Sequence, residues 1–388
     1  MQILVAAGTR PEIIKLSPVV RALRQDGHDV RVVATGQHAD PKMAAHMFDG
    51  LGYRPDVTWA LPATTVSARV GAIFAQAIEE LSSHRPGAAL VLGDTDTAPL
   101  VALAARRQGI GVIHVEAGLR SFNGQSSEEV NRRVMAAIAT LNLAPTRLAA
   151  QFLRAEGVPA ERIHIVGNPV IDVLAASGVP RCPVSGRCGV LFTAHRATNV
   201  DRPERLRQIA SLLAELGSRY GPVIFPVHPR TERRLTETGL LDEVKQLDGV
   251  QIGPPLAFHE LLGCLARSKL VVTDSGGLQE EAAFYGLPAI IMRDTTPRWE
   301  GIQAGIAALC SVEPGRVLEA AAGFLHPRRL AEIAAVPCPY GDGDTGPRIA
   351  ALLRQPDVAR ILAPRECDLS LPGADAVTAL VDRPARWP

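Results

Sequence analysis

The chain of 388 residues carries a formal net charge of +1, only 4% aromatic residues and six cysteines. That length exceeds one ordinary core and suits two domains, while few aromatics beside plentiful Ala, Leu, Val and Gly favour helices on a parallel sheet over a β-sandwich. That charge is spread along the chain without a basic block and suggests neither nucleic acid nor an anionic membrane as a partner, no Cys-Cys or Cys-His spacing suggests a disulfide framework or a metal site, and no apolar run reaches membrane-spanning length.

The sequence opens on the strand-like run QILVAAG with no targeting segment before it, so a soluble, cytoplasmic protein is expected. DVRVVATG, AALVLGD, GVIHVEAG, LNLAP and RIHIVGN follow, with helical patterns between them. Such alternation means βαβ units and a parallel sheet. After the polar stretch VPRCPVSGRCG a second series begins: VLFTAH, PVIFPVH, VQIGP, LVVTDSGG and PAIIM. We expect an α/β fold of two Rossmann-like, doubly wound domains, over 1–168 and 169–345. One helical pattern runs from Gly346 to about residue 362, and the remainder, 363–388, mixes Pro, Gly and charge and is expected to be poorly ordered.

Polar residues gather at the carboxyl ends of the expected strands, where open α/β sheets bind ligands. Arg10 stands before Pro11, a residue suited to a first helical turn, with Lys15 five residues on. They can bind an anion at a helix N-terminus or make ordinary surface ion pairs. Asp94 follows a fully apolar strand, where a carboxylate either caps the next helix or does chemistry. Glu116 interrupts VIHVEAG where no cap is needed, and reads as catalytic. Glu128 and Glu129 open a helix; dipole and catalysis both suit them. In the second series His195 and Arg196 end one strand and His228 the next, a pairing that suits an anion. Ser275, Gly276 and Gly277 form a turn into a helix whose N–H groups can hold a pyrophosphate, with Glu281 one turn later placed for a ribose diol.

Taken in order, GTRPEIIKLSPV, TGQH, GDTDT, HVEAGLRS, EEVNRR, TAHR, DSGGLQEE, RDTT and PYGDG resemble the non-hydrolysing UDP-N-acetylglucosamine 2-epimerase family, with its glycosyltransferase-B fold. The similarity runs from Gly8 to about Ile349. It implies two domains facing a cleft: the first holds the sugar and the catalytic carboxylates, the second binds UDP, and the helix near PRIAALL crosses back onto the first. By matching motif it implies functional roles for Arg10, Lys15, Asp94, Glu116, Glu128 and His195. Ser275, Gly276 and Gly277 would hold the diphosphate, Glu281 the ribose, and Arg293 the substrate. Gln37, His38 and Arg69 would belong to an activator site. The implied reaction eliminates UDP as the C2 proton leaves, passes through a glycal and returns UDP to the manno epimer. It requires no metal or other cofactor, and the implied assembly is a homodimer. Which carboxylate is acid and which is base stays open.

Departures from the family pattern cluster away from the UDP motifs. SFNGQSSEE is shorter than the family's Trp-Pro loop, AHRATN stands for HRREN, TTPRWEG for TTERPE, and ADPK is inserted after His38. They predict an altered sugar or lost activation with UDP binding kept. Net hydrolysis or glycosyl transfer on the same fold is the alternative outcome, and a UDP-sugar-binding regulator without turnover is a third.

Overall fold

The computed structural model describes residues 1–36, 48–62 and 65–363, and the chain divides into two compact units. The first holds Met1–Leu119, Gly124–Pro169 and the described residues from Asp344 onward; the second holds Arg120–Asn123 and Val170–Gly343.

The first unit is built on a parallel sheet of β1 (Gln2–Ala7), β2 (Asp29–Ala34), β3 (Val57–Thr58), β4 (Ala88–Leu92), β5 (Gly111–Val115), β6 (Leu141–Ala144) and β7 (Ile163–Ile165). Their order is β3-β2-β1-β4-β5-β6-β7. Helices cover both faces, so central strands such as AALVL are apolar at every position instead of alternating. Ile3, Val5 and Ala7 pack against helices Arg10–Gln25 and Thr345–Leu353, while Leu4 and Ala6 face the layer of Val66–His84, Thr97–Arg107 and Ser127–Ile138. Strand order reverses between β1 and β4. At that switch point the chain leaves the sheet in opposite directions and opens a crevice at the carboxyl edge.

The second unit repeats the plan with β8 (Val190–Thr193), β9 (Val223–Pro226), β10 (Val250–Gly253), β11 (Leu270–Thr273), β12 (Ala289–Ile291) and β13 (Ala307–Leu309). The order is β10-β9-β8-β11-β12-β13, again parallel, with its switch point between β8 and β11. Its polar entry stretch is firmly held. Arg187 is buried there, donating to the carbonyls of Cys182, Tyr285 and Gly286.

Three features differ from the sequence reading. The short edge strands β3 and β13 were not among the expected strands. The single C-terminal helix is two, Thr345–Leu353 and Pro356–Leu362, because Gln355 precedes a proline and turns extended (φ −71, ψ 130). Arg120–Asn123 belongs to the second unit although its neighbours in sequence belong to the first. Almost all of the expected tail, from Pro364, lies outside the described residues. The helix Thr345–Leu353 packs on Arg10–Gln25, and at their contact only glycine fits: a Cβ on Gly346 would stand 2.6 Å from the Pro18 carbonyl oxygen. Among the described residues no helix is long and apolar enough to cross a membrane.

Candidate functional site

In the first unit the candidate carboxylates collect where β1, β4 and β5 end. Glu116, just past β5, adopts φ +62, a left-handed conformation costly for a residue with a Cβ. Its carboxylate is buried and receives Lys15 Nζ on Oε1 at 2.5 Å. Lys15 arrives from one turn inside helix Arg10–Gln25, so the ion pair ties that helix to the end of β5. The other oxygen lies over Gly93, the residue before Asp94, within 3.7 Å of where a Cβ would be. His114, one residue before the end of β5, holds the Gly93 carbonyl at 2.8 Å from Nε2.

Asp94 does not cap the following helix; that position belongs to Asp96. Its carboxylate is instead gripped by Arg132, from Nε at 2.8 Å and Nη2 at 2.7 Å, and its carbonyl accepts from Asn131 Nδ2. The two adjacent glutamates divide their roles. Glu129 is buried and pairs with Arg132 Nη1 at 2.5 Å, so it anchors the arginine that holds Asp94. Glu128 is exposed and accepts from Ser126 Oγ at 2.5 Å. It lines an open cavity of about 330 Å³ with Thr9, Arg69, Asp94, Thr95, Asp96, Ser127 and Asn131. Arg69, assigned above to an activator site, therefore shares a cavity with Asp94 and Glu128. Gln37 and His38 lie outside the described residues.

Arg10 is exposed at the first position of its helix. The backbone N–H groups of Gly8 and Thr9, just before it, are taken by the Glu12 carboxylate at 2.6 and 2.9 Å. Glu12 is nearly fully buried, also accepts from Thr95 Oγ1, and is pushed up to about 7, chiefly by burial. Three supports escaped the sequence reading, Glu12, Arg132 and, below, Asp274, while Glu129, read there as a dipole or catalytic residue, anchors Arg132. Only the i, i+3 spacing of Glu129 and Arg132 hinted at a pair.

In the second unit Asp274, at the end of β11, is fully buried and organises the neighbouring strand end. It accepts the His195 N–H at 3.0 Å, the Arg196 N–H at 2.9 Å and Asn199 Nδ2 at 3.1 Å, and it pairs with His195 Nδ1 at 3.2 Å. The His195 imidazole is half-buried and pushed below its usual range, first by burial and then by His228, Arg196 and Arg293, against the opposing pull of Asp274. His228 caps the helix Pro229–Glu237, its Nδ1 accepting the Arg230 N–H at 3.1 Å. The two imidazoles stand 5.5 Å apart. Arg230 turns away to Asp201.

Ser275, Gly276 and Gly277 are partly exposed at the start of helix Gly277–Phe284. Gly276 is right-handed (φ −73, ψ −47), so its use is room and not backbone freedom. A Cβ there would meet Arg298 Nη1 at 3.3 Å, and Arg298 is fixed by the buried Glu280 at 3.0 Å. Glu281 sits one turn on, with Oε1 3.6 Å from the Cβ position of Gly277. Arg293 follows β12, half-buried, its carbonyl accepting the Ser311 N–H. Thus a cluster of imidazole and guanidinium groups stands beside an open helix N-terminus, an arrangement able to bind a diphosphate.

A family model described as UDP-N-acetylglucosamine 2-epimerase matches residues 21–354. The UDP-N-acetylglucosamine 2-epimerase of Methanocaldococcus jannaschii is 34% identical over 366 residues, covering 91% of this chain and 99% of that protein. A UDP-2,3-diacetamido-2,3-dideoxy-D-glucuronate 2-epimerase of Pseudomonas aeruginosa is also 34% identical, over 91% of this chain and 99% of its own. A crystal structure of the M. jannaschii enzyme in complex with UDP-GlcNAc and UDP superposes with a TM-score of 0.80, covering 91% and 99% of the two chains. The motif order, the two doubly wound units and these matches along nine-tenths of the sequence agree: the chain belongs to the UDP-N-acetylglucosamine 2-epimerase family.

Proposed function

We propose that the chain is a UDP-sugar 2-epimerase acting on UDP-N-acetylglucosamine or a close UDP-HexNAc variant. A carboxylate takes the proton from C2, the freed electron pair forms the C1=C2 bond of a glycal, and the C1–O bond breaks to release UDP. A proton then reaches C2 on the opposite face, and UDP returns to C1. Inversion needs a proton-handling group on each face. The observation that carries this reading is the strained, lysine-paired Glu116 stacked over the Gly93-Asp94 turn. Glu128, which lines a cavity with Asp94, is the third candidate carboxylate beside Asp94 and Glu116.

The departing diphosphate gathers negative charge, which His195, Arg196, His228, Arg293 and the Ser275-Gly276-Gly277 turn are placed to offset. We assign Arg10 and Lys15 to the site of the first unit, where Lys15 holds Glu116, and Glu281 to the ribose hydroxyls. Net hydrolysis is not favoured, since relatives matching nine-tenths of the chain are named epimerases. The P. aeruginosa relative's name shows that sugar substituents vary among similar proteins, which suits the changed SFNGQSSEE and TTPRWEG loops.

Incubation with UDP-N-acetylglucosamine, with and without added UDP-sugar activator, followed by NMR, tests the reading. The expected product is the UDP-bound manno epimer; free amino sugar with equimolar UDP would contradict it. We also assign a homodimer contact to Leu103, Val130 and Val134, exposed apolar residues on the mutually packed helices Thr97–Arg107 and Ser127–Ile138. Sedimentation should show a dimer, which Val134→Glu weakens; a monomeric wild type refutes the assignment.

A further inference from the structure

We propose that Glu12 is a positioning residue for the reaction at Asp94, acting through the Thr95 hydroxyl as a proton-dependent switch of hydrogen-bond direction. The inference rests on the epimerase reading given above and goes beyond it to a residue that does not line the cavity.

The geometry is a clamp across the switch point of the first sheet. One Glu12 oxygen, Oε2, accepts Gly8 N–H and Thr9 N–H from the end of β1 at 2.6 and 2.9 Å. The other, Oε1, meets Thr95 Oγ1 from the turn after β4. Thr95, Thr9 and Asp94 line the cavity; Glu12 stands behind them, 4% exposed. Both backbone partners can only donate, so Oε2 is committed to accepting in either protonation state. Oε1 has no such constraint. With Glu12 ionised, Thr95 must give its hydrogen to Oε1, and its oxygen offers the cavity lone pairs only. With Glu12 protonated, the Oε1 hydrogen goes to Thr95 Oγ1, and the threonine hydrogen is released towards the cavity. One proton held behind the wall thus decides whether the wall donates or accepts.

Charge acts in the same direction. Asp94 faces Glu12 from the β4 turn, and Tyr53, whose hydroxyl donates to the Ile13 carbonyl, faces it from the segment before β3. On its own helix, Arg10 is exposed and Lys15 is committed to Glu116 at the end of β5. Ionised Glu12 therefore adds a negative charge beside Asp94, and neutral Glu12 removes it. Burial, opposed by the three hydrogen bonds, brings the Glu12 carboxyl up to about 7, where both states are populated at neutral pH.

Glu12→Gln imitates the protonated state: the amide oxygen accepts from Gly8 and Thr9, and the amide nitrogen donates to Thr95. The experiment compares wild type, Glu12→Gln, Thr95→Val and Thr95→Ser, measuring kcat and KM for UDP-N-acetylglucosamine from about pH 5 to 9. Infrared difference spectra of the unliganded proteins across neutral pH report the carboxyl without any turnover. Wild type should show a protonated carboxyl band and a kcat inflection, both near pH 7. Glu12→Gln should lack both, with kcat changed about tenfold on the alkaline side and KM changed less than about twofold. Thr95→Val should lose the kcat inflection while keeping the band, and Thr95→Ser should keep both. An inflection that survives in Glu12→Gln, one that survives in Thr95→Val, or an effect confined to KM each overturns the proposal. A wild type that epimerises no UDP-sugar overturns instead the function on which it rests, and the infrared band distinguishes the two failures.

Discussion

Glu116 and Glu12 show what a carboxylate must be given to exist inside this sheet edge. Glu116 keeps its charge partner in Lys15 and bears a left-handed backbone; removing only the lysine would strand a buried charge at a cost of about 3–5 kcal/mol. Among the described residues Glu12 meets hydrogen-bond donors and not a cation, and burial shifts its proton equilibrium from the usual 4.5 to about 7. A carboxyl whose folded value is raised stabilises the fold fully below the unfolded value and loses that contribution as pH rises through the folded one. Between about pH 4.5 and 7 the folded state should therefore lose about 3 kcal/mol through this group. Urea unfolding of wild type and Glu12→Gln at pH 5 and pH 8 checks the sign. The variant should gain on wild type by roughly 2–3 kcal/mol at the higher pH; a difference independent of pH contradicts the raised value. Asp94, Glu116 and His195 could be singled out from sequence because each interrupts or ends an apolar run. Glu12, Arg132 and Asp274 could not, since their partners, Thr95 (83 residues away), Asp94 and the His195 turn, lie on strand ends that neighbour only in space.

At the scale of single elements, the helix Gly277–Phe284 carries the nucleotide reading. Its first N–H groups are reachable because Gly276 leaves room between the backbone and Arg298, and Arg298 has little freedom to retreat while Glu280 holds it. Gly276→Ala needs no unusual φ, so its stability cost should stay below about 1 kcal/mol. The added methyl nevertheless narrows the approach to the helix terminus, and UDP affinity measured by calorimetry should fall on the order of tenfold, about 1.4 kcal/mol. An unchanged Kd would remove the turn from the nucleotide site. Element boundaries were legible where the physics is local. AALVL or LVVT must be buried on both faces, and a parallel central strand is the way to do that. Val57–Thr58 and Ala307–Leu309 have two and three residues at sheet edges, too few to stand out from the loops beside them. Pro356 is visible in the sequence as a helix breaker, yet the apolar pattern runs straight through it, and the pattern alone hides the break.

For the whole molecule, the alternation of apolar strand and amphipathic helix was enough to expect two doubly wound units, because a parallel sheet demands a crossover helix of consistent hand after each strand. The ordered motifs then placed candidate side chains at carboxyl strand ends, at or next to the reversals of strand order, β1/β4 and β8/β11. The transfer of Arg120–Asn123 to the second unit was not legible, since Trp299 Nε1 holds the Arg120 carbonyl at 2.8 Å from 179 residues away. The central claim is proton exchange at the carbon beside the anomeric centre. It is tested most directly by incubating the protein with UDP-N-acetylglucosamine in deuterium oxide and reading deuterium at C2 by mass spectrometry and NMR, beside Glu116→Gln as control. Wild type should label C2 in both epimers, and Glu116→Gln should slow labelling by about a hundredfold or more with UDP affinity unchanged. A wild type that binds UDP-sugar without ever labelling C2, or a Glu116→Gln variant that labels it at the full rate, would contradict the account.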